Sequence, residues 1–314
     1  MTRLSIAIPS KGRLKENAES WLAANGFKLR QVGGGRGYRA ELKGLPDTDV
    51  MLLSAREIAE ELIAGNLHVG VTGEDLIHDL SNDVDRDTEV LKRLGFGGAD
   101  VIVAVPAAWL DVDTMSDLEA AGAQFRERHG RRMRVATKYL RLTRRFFAAR
   151  AVGEYRLVES AGATEAAPAA GTAEVIVDIT STGATLKAND LKILSDGVIL
   201  KSQAGLIGSR QASWSEDALS SLRVLLDGVE ASAQAAAMAV LQTTKPVPES
   251  LIKDLDLTLL ASGAVLCKAA NATQVARTLT SNDLGAVVIT KSDHVFYGLN
   301  TTFNNFVTGL SQSA

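Results

Sequence analysis

The sequence predicts an α/β protein of two lobes, followed by a small α+β module. The first 75 residues alternate between short apolar strands and helices, which favours a largely parallel sheet. The glycine-rich stretch 94–98 precedes a strongly apolar strand and indicates a crossover into a second lobe. At 314 residues the chain is also too long for a single ordinary domain.

The first lobe is predicted from residues 1–97. A strand over Leu4–Ile8 leads into a helix, which Asn25-Gly26 stops. Gly33-Gly34-Gly35 then indicates a turn between strands. The remaining elements, in order, are a strand at Val50–Leu53, a helix ending near Gly65 and a strand at Leu67–Val71.

The second lobe is predicted from residues 98–191. Its first helix start is indicated by Ser116-Asp-Leu-Glu119, which fits the reciprocal capping pattern. The other elements, in order, are strands at Val101–Val105 and Met133–Thr137, a helix near Leu142–Ala149, and strands at Tyr155–Val158 and before Asp178. Short strands at Leu191–Leu194 and Gly205–Ile207 return the chain, so residues 192–213 are assigned to the first lobe.

The C-terminal module is predicted from residues 214–314. Helical periodicity runs from Trp214 to Leu241, and Lys245-Pro-Val-Pro248 interrupts it. The remaining elements, in order, are strands at Leu257–Leu260 and Ala264–Cys267, a helix at Ala272–Leu279, strands at Ala286–Thr290 and Val295–Leu299, and a final helix. We expect a regulatory or oligomerisation domain, and homo-oligomers formed partly through it.

Composition and charge argue against several classes of protein. A net charge of −3 gives no reason to propose a nucleic-acid partner. The four histidines and the single Cys267 lie far apart, without metal-ligand spacing, and a lone cysteine excludes an intrachain disulfide framework. The apolar N-terminal run is too short for a signal peptide, and no segment approaches the roughly 18 apolar residues of a membrane span. We therefore expect a cytoplasmic protein that is not associated with a membrane.

The stretch from Glu165 to Leu186 is the most informative for function. A buried-strand run ends on Asp178, and the polar loop Thr180-Ser181-Thr182-Gly183-Ala184-Thr185 follows it. A carboxylate at a strand end can accept hydrogen bonds from a sugar diol, and such a loop offers N–H groups and hydroxyls to a phosphate. The alternative is that Asp178 caps a helix, Glu165 is a surface charge and the loop hydroxyls serve only as caps. The pattern alone leaves both interpretations open.

Basic residues are concentrated between Arg126 and Arg150: the segment contains ten of them and a single acidic residue, Glu127. In an acidic protein this excess favours a positive pocket for a polyanionic ligand. Arg134, Lys138 and Arg141 surround the strand end after Thr137, and we expect them to face that pocket. The alternative for the other arginines is a solvated helix face.

Two further strand-to-helix turns have the composition of anion sites. Pro9-Ser10-Lys11-Gly12-Arg13 places two cations and free N–H groups at a helix N-terminus. The stretch Gly70–Asp75 repeats this geometry, and its small residues let a ligand approach the backbone. Each could also be a plain turn whose charges stay in water. Three such motifs at strand ends on two lobes imply one cleft.

Other catalytic patterns are absent from the sequence. It has no phosphate-binding loop of the Gly-Lys-Ser/Thr type, no dinucleotide fingerprint and no nucleophile elbow. We therefore expect catalysis by positioning and charge stabilisation, without a covalent nucleophile.

Together these residues resemble the ATP phosphoribosyltransferase family, which catalyses the first step of histidine biosynthesis. The stretch Glu165-x5-Gly-x-Ala-x2-Ile-x-Asp178-Ile-x2-Thr-Gly-x-Thr-Leu186 is similar to the family signature over its whole length. Similar blocks are Ile8-Pro-Ser-Lys-Gly-Arg-Leu14, Gly70-Val-Thr-Gly-Glu-Asp-Leu-Ile77, Leu94-Gly-Phe-Gly-Gly98 and Arg134-Val-Ala-Thr-Lys-Tyr139. The resemblance spans about residues 3–210.

The resemblance implies a two-lobed core similar to type II periplasmic binding proteins, with the active site in the cleft. It implies a reaction that joins N1 of ATP to C1 of phosphoribosyl pyrophosphate, with Mg²⁺ present and pyrophosphate leaving. Glu165 and Asp178 would hold the ribose hydroxyls, and the loop Thr180–Thr185 would hold the 5′-phosphate. The residues implied for the ATP and pyrophosphate side are Lys11, Gly12, Arg13, Gly73, Glu74, Arg134 and Lys138. No metal ligands are assigned.

The chain departs from the family pattern at three places. Leu140 stands where the family usually has proline, and His68 stands where an aspartate is usual. Long-form members carry a C-terminal domain, similar to ACT domains, that binds histidine; short-form members lack it and work with a separate partner subunit. This tail has nearly the long-form length and alternation, but it does not match the usual long-form blocks. Histidine feedback through the tail is therefore a hypothesis.

Two alternatives to the enzyme stay open. One is a catalytically inactive, two-lobed protein that binds a metabolite, and the other is a regulatory subunit that needs a catalytic partner. Retention of Glu165, Asp178 and Thr182-Gly183-x-Thr185 favours the enzyme, because an inactive relative need not keep both diol-binding carboxylates.

Overall fold

The computed structural model describes residues 3–32, 38–45, 47–160 and 162–313. Three β-sheets organise these residues into two lobes and a small module. The predicted turn at Gly33-Gly34-Gly35 lies outside the described residues. Within them, no helix combines the length and the hydrophobicity that crossing a bilayer requires.

Lobe I is built on a seven-stranded sheet. Its strands are β1 (Leu4–Pro9), β2 (Lys28–Gln31), β3 (Arg39–Lys43), β4 (Thr48–Leu53), β5 (Val69–Gly73), β6 (Thr88–Arg93) and β12 (Ala204–Ser209). Their order is β2-β3-β4-β1-β5-β12-β6, and β4, β1 and β5 run parallel. Because these three strands are parallel, the turns after them meet at one edge of the sheet.

The helices of lobe I follow its strands. They are α1 (Gly12–Ala24), α2 (Ala55–Ala64), α3 (Glu74–Leu80) and α4 (Val84–Asp87). Helix α2 shows how local sequence sets the boundaries: Ser54 and Glu57 form a capping box at its start, and Gly65 ends it at a φ of 77°. Its buried face packs on the sheet through Ile58 and Leu62.

Lobe II is built on a five-stranded sheet with the order β11-β7-β10-β8-β9. Its strands are β7 (Ala99–Pro106), β8 (Met133–Thr137), β9 (Tyr155–Glu159), β10 (Val175–Thr180) and β11 (Leu191–Ser202). Its helices are α5 (Met115–His129), α6 (Leu140–Ala149) and α7 (Ala184–Ala188). Strands β10, β8 and β9 are parallel, so their carboxyl ends also share one edge.

Helix α5 begins one residue before the predicted capping pattern. Its N-cap is Thr114, whose hydroxyl accepts the N–H of Asp117, and the Asp117 carboxylate accepts the N–H of Thr114. The capping box is therefore Thr114 with Asp117, and the predicted pairing of Ser116 with Glu119 is wrong. A shorter Asp serves here in place of the Glu on which the prediction relied.

The chain crosses between the two sheets twice. The outward crossover passes through the predicted glycine-rich stretch 94–98. The return passes through Gln203, because β11 pairs with β7 along Leu191–Ser202, so residues 192–202 lie in the sheet of lobe II. The two sheets and the two crossings between them confirm the predicted two-lobed α/β core. The core is consistent with the type II periplasmic-binding-protein-like core that the resemblance implied.

The C-terminal module has a β-α-β-β-α-β connectivity around an antiparallel sheet. Its elements are β13 (Met238–Thr243), α9 (Glu249–Asp254), β14 (Thr258–Leu259), β15 (Val265–Lys268), α10 (Ala272–Ser281) and β16 (Val287–Thr290). The strand order is β14-β15-β13-β16, an arrangement typical of ferredoxin-like modules. The predicted helix thus ends at Ala237, and the predicted strand Val295–Leu299 is irregular chain.

Two helices attach this module to lobe I. They are α8 (Glu216–Ala237), which precedes the module, and α11 (Thr301–Ser313), which follows it. Leu222 of α8 and Phe306 of α11 belong to the same hydrophobic core as Leu4 of β1. The predicted division at residue 214 remains a prediction, but the hydrophobic core continues across it.

We predict that Phe306→Ala lowers the free energy of unfolding by about 3–5 kcal/mol, the usual cost of removing a buried phenyl ring. Phe306 is fully buried, and its ring lies 5.2 Å from that of Trp214 between centroids. Urea titration measures the change. The matched control is Phe296→Ala. Because the Phe296 side chain is 65% exposed, this substitution should change the free energy of unfolding by about 0.5 kcal/mol or less. Equal effects of the two changes would mean that α11 is not anchored in the core of lobe I.

Candidate functional site

The carboxyl ends of the parallel strands in both lobes face one cavity of about 870 Å³. Turns after β1, β4 and β5 line it from lobe I, and turns after β8, β9 and β10 line it from lobe II. The crossovers contribute small residues to its lining: Gly97, Gly98, Ala99 and Ala204. The volume is within the range of pockets that hold small organic ligands. This cavity is the cleft that the sequence implied.

Arginines near the starts of two helices line the cleft from lobe I. Arg13 is the second residue of α1 and Arg56 is the second residue of α2. Lys11, the N-cap of α1, and Gly12, at a φ of 72°, are exposed beside Arg13. Sequence reasoning missed Arg56, although it follows β4 just as Arg13 follows β1. The same strand-end rule would have found it.

Glu74 is buried under the cleft, where it holds another residue. Its carboxylate accepts two hydrogen bonds from the Arg93 guanidinium, at 2.9 and 3.0 Å. Its side chain is therefore already paired within lobe I. The neighbouring Gly73 does line the cleft, and a Cβ at this position would collide with Oδ1 of Asp75. Gly73 thus leaves space for the Asp75 carboxylate.

Asp75 of lobe I meets Tyr139 of lobe II at the cleft wall. The Tyr139 hydroxyl donates to Oδ2 of Asp75 at 2.5 Å, and the Ser202 hydroxyl donates to Oδ1 at 2.9 Å. Burial and the Asp75 charge raise the pKa of Tyr139, so its hydroxyl keeps its proton. The Lys138 ammonium lies over the Tyr139 ring, 5.0 Å from its centroid. Lys138 lines the cleft, as predicted from the sequence.

Asp178 and Glu165 are half-buried in lobe II and are not among the residues that line the cleft. Glu165 is in a 3₁₀ turn at Thr164–Ala166, and Asp178 is in β10. Burial raises the pKa of Asp178; the Glu165 charge adds to this, while the Ile179 N–H, bonded at 2.8 Å, and Lys138 oppose it. Asp178 does not cap α7, because the N-cap there is Gly183. The two carboxylates and Lys138 therefore form one electrostatically linked group.

The loop Thr180–Thr185 is held by its own hydroxyls. Thr180 Oγ1 accepts the N–H of Gly183 at 2.9 Å, and Thr182 Oγ1 accepts the N–H of Ala184 at 3.3 Å. Gly183 adopts a φ of 72°, which a side chain would strain. Ser181 lines the cleft from this loop. The loop is thus fixed in shape next to the two carboxylates.

Arg134 does not face the cleft. Its guanidinium contacts Glu174 at 2.7 Å and the Gly171 carbonyl at 2.8 Å. Most of the other arginines are also paired: Arg126 and Arg132 with Glu154, Arg131 with Glu174, Arg150 with Asp196, and Arg141 and Arg145 with main-chain carbonyls at the end of α3. Of the three residues expected to face a pocket, only Lys138 lines the cleft, because Glu174 holds Arg134 and the Leu80 carbonyl holds Arg141.

Glu159 and Ser160 were not predicted from the sequence. Glu159 ends β9 and Ser160 follows it; both line the cleft, which gains a carboxylate from Glu159. Their position at a strand end was the available signal. Among the residues that the structure describes, no three His, Cys, Asp or Glu side chains group in a way that could hold a metal ion.

The chain is similar in sequence to proteins of one family. The family model described as HisG: ATP phosphoribosyltransferase matches residues 54–228. The chain is 48% identical to an ATP phosphoribosyltransferase of Caulobacter vibrioides (strain NA1000 / CB15N), covering 98% of each chain. It is 58% identical over 234 residues to an ATP phosphoribosyltransferase of Rhodopseudomonas palustris (strain BisB18), which covers 74% of this chain and 72% of that one.

A solved structure shares the fold. A chain of the ATP phosphoribosyl transferase (HisG:HisZ) complex from Thermotoga maritima matches with a TM-score of 0.54 and 23% identity. The match covers 72% of this chain and 98% of that one.

The paired charges around Glu174 predict a pH-dependent stability. Burial works to raise its pKa, but hydrogen bonds from Arg131 and Arg134 prevail and lower the pKa to about 2. Because an unfolded glutamate has a pKa of about 4.3, this stabilisation is complete above that pH and is lost as the pH falls toward 2. Glu174→Gln should therefore cost about 1–3 kcal/mol of unfolding free energy at pH 7, and the difference from wild type should shrink below about pH 4.

Urea titrations at pH 7 and pH 3 measure this difference. Glu127→Gln, on an exposed position of α5, is the control and should change the free energy of unfolding by about 0.5 kcal/mol or less at both pH values. A Glu174→Gln difference that does not depend on pH would contradict the prediction.

Proposed function

Because the chain belongs to the ATP phosphoribosyltransferase family, we propose that the cleft between its lobes is the active site where ATP and phosphoribosyl pyrophosphate meet. The protein is an ATP phosphoribosyltransferase, a pentosyltransferase that carries out the first step of histidine biosynthesis. One observation carries the assignment of the site. Ser181 of the loop Thr180–Thr185 lines, from lobe II, the same cleft that Arg13 and Arg56 line from lobe I. The loop follows Asp178 in the chain, and Asp178 is linked by charge to Glu165.

On lobe II we place phosphoribosyl pyrophosphate. Glu165 and Asp178 accept hydrogen bonds from the two ribose hydroxyls, and the loop of Thr180, Ser181, Thr182, Gly183, Ala184 and Thr185 binds the 5′-phosphate. The support is the electrostatic link between Glu165 and Asp178, and the rigid loop of N–H groups and hydroxyls that begins two residues after Asp178. Since the loop hydrogen bonds are formed before the ligand arrives, little ordering is required on binding.

On lobe I we place ATP and the pyrophosphate. Arg13 supplies positive charge, and so does Arg56, whose exposed guanidinium also pairs with Glu60 at 3.0 Å. Gly73 lets the ligand approach the backbone, and Lys138 lines the cleft from lobe II. Lys11 and Gly12 border this side at the start of α1, where N–H groups point outward. Glu74 does not line this side of the cleft; its buried carboxylate is paired with Arg93. Arg134 is not part of this proposal, because it does not line the cleft and Glu174 engages it.

The arrangement suits the charges that develop in the reaction. As the bond from C1 to the pyrophosphate oxygen breaks, C1 gains positive character and the leaving group gains negative charge. Carboxylates on the ribose side and cations on the pyrophosphate side stabilise this separation. Binding the two substrates in one cleft also brings N1 of ATP next to C1, which replaces an encounter in solution by a positioned reaction.

Enzymes of this family need a metal for catalysis, and we propose that it is Mg²⁺. Since no three-ligand cluster exists among the described residues, the ion fits best on the substrate phosphates, as Mg²⁺ prefers, with at most one or two protein carboxylates. Glu165, Asp178 and Glu159 are the carboxylates in or near the cleft that could contribute. When bound, Mg²⁺ neutralises phosphate charge.

We assign oligomerisation and histidine feedback to the C-terminal module. Its β-α-β-β-α-β connectivity is compatible with an ACT-like domain, and its edge strand β16 leaves Val288 and Ile289 exposed. An exposed apolar edge strand is suited to pairing with another chain. We therefore propose a homo-oligomer that contacts partly through this module. The buried, unpaired Cys267 is compatible with a reducing cytoplasm, where we place the protein.

The activity is tested by incubating the purified chain with ATP, phosphoribosyl pyrophosphate and Mg²⁺, and measuring pyrophosphate release. We expect Asp178→Asn to lower kcat/KM for phosphoribosyl pyrophosphate about tenfold or more, because an orphaned polar partner costs about 1–3 kcal/mol. Since the pKa of Asp178 is raised above its usual value, wild-type affinity should weaken as the pH falls through that raised pKa, whereas the affinity of Asp178→Asn should not follow that titration.

The matched control is Asp190→Asn. Asp190 is exposed in lobe II at a φ of 53°, a conformation that asparagine also tolerates, so kcat/KM should stay at the wild-type value. Unchanged affinity in Asp178→Asn would remove the diol role. Absence of turnover in folded wild type, alone or with a candidate partner subunit, would overturn the assignment of activity.

Histidine feedback has its own measurement. We expect L-histidine to reduce the rate and to raise the melting temperature, since a ligand at 100 times its Kd stabilises the folded state by about 2.7 kcal/mol. D-histidine is the control and should do neither. If L-histidine changes neither the rate nor the melting temperature, the module does not bind it.

A further inference from the structure

We propose that Asp75 and Tyr139 are positioning residues that fix the separation of the two lobes across the cleft. The proposal rests on the proposed function, since it concerns how the two substrates are brought together. Asp75 belongs to α3 of lobe I, and Tyr139 immediately precedes α6 of lobe II. Their 2.5 Å hydrogen bond therefore joins the lobes directly at the wall of the cleft.

Asp75 is itself held by a crossover residue. The buried Ser202, at the end of β11, accepts the main-chain N–H of Asp75 at 3.0 Å and donates to its Oδ1 at 2.9 Å. The N–H of Glu74 also donates to the carbonyl of Gln203, at 3.1 Å. The Asp75 carboxylate is thus fixed at the point where the chain returns to lobe I, and Gly73 keeps the space beside it free.

Helix α3 reaches lobe II a second time through Asp79. This buried carboxylate accepts the N–H groups of Arg141 and Leu142 at 3.0 Å each, so it caps the start of α6 from the other lobe. Asp75 and Asp79 lie four residues apart and therefore on one face of α3. This face sets the position of the α6 start, and hence of Tyr139.

The Tyr139 side chain transmits this position to the cleft. It is 1% exposed, and its ring lies under the ammonium of Lys138. The Tyr139 hydroxyl thus joins the lobes through Asp75, whereas the Tyr139 ring positions the Lys138 ammonium. Because the two substrates are assigned to opposite lobes, the distance between N1 and C1 depends on the lobe separation. An error of about 1 Å in such a distance can cost about a hundredfold in rate.

The test uses Tyr139→Phe, which removes the inter-lobe hydrogen bond and keeps the ring under Lys138. The matched control is Tyr155→Phe: Tyr155 starts β9, at the end opposite to the cleft residue Glu159, and its ring packs on Phe147. We expect Tyr139→Phe to lower kcat about tenfold or more, with each KM changed less than about threefold. Tyr155→Phe should leave both at wild-type values.

Two further variants examine whether the pair acts as a unit. Asp75→Ala should lower kcat by at least as much as Tyr139→Phe, and the double variant should be no slower than Asp75→Ala alone. Asp75→Asn keeps an oxygen acceptor for the Tyr139 hydroxyl, so it should recover part of the rate. Additive losses in the double variant, or losses of kcat that simply follow the loss of folded protein in a thermal melt, would overturn the proposal.

A measurement without substrates separates this proposal from the assigned activity. Spin labels at Glu16→Cys on α1 and Ala120→Cys on α5, both exposed, report the distance between the lobes. Tyr139→Phe should broaden or shift the distance distribution, and Tyr155→Phe should not. An unchanged distribution in Tyr139→Phe contradicts the proposal even if kcat falls, because Tyr139 would then act on substrate directly. If wild type shows no turnover, the distribution still tests the lobe junction.

Discussion

The double crossing of the chain between two sheets is the constraint on which the rest of the structure depends. It turns the carboxyl ends of β1, β4 and β5 toward those of β8, β9 and β10, so short turns from distant parts of the sequence meet in one cavity. Loops on one sheet alone would offer a shallow site. Two facing edges enclose one cavity of about 870 Å³, and the relative position of its two walls then becomes a property of the crossovers and of the contacts beside them.

Charge in this protein is arranged by pairing more than by accumulation. The arginine-rich segment of lobe II is largely satisfied by Glu154, Glu174 and Asp196 or by main-chain carbonyls, and it braces the lobe. The cleft instead receives a few cations at helix starts. This distribution lets an acidic protein present positive charge at the cleft.

The sequence predicted most strands and helices of the two lobes, because alternation, capping residues and strand-end glycines are local signals. The same signals identified Arg13, Gly73, Lys138 and Ser181, all of which line the cleft. The sequence did not indicate contacts between residues that lie far apart in the chain. Nothing near Arg134 in the sequence indicates Glu174, forty residues away, and nothing near Tyr139 indicates Asp75. Likewise, the burial of Phe306 against Trp214 follows from the packing of α11 on lobe I, which helical periodicity alone does not specify.

The attachment of the C-terminal module limits how it can influence the reaction. Helices α8 and α11 share the core of lobe I, to which Leu206 of β12, the strand after the return crossover, also belongs. The module is therefore part of the body that carries one side of the cleft. A ligand bound to it can change catalysis only through a difference in affinity between two arrangements of the lobes. Such arrangements must differ at the junction of α3 with α6, because the lobes are hydrogen-bonded to each other there.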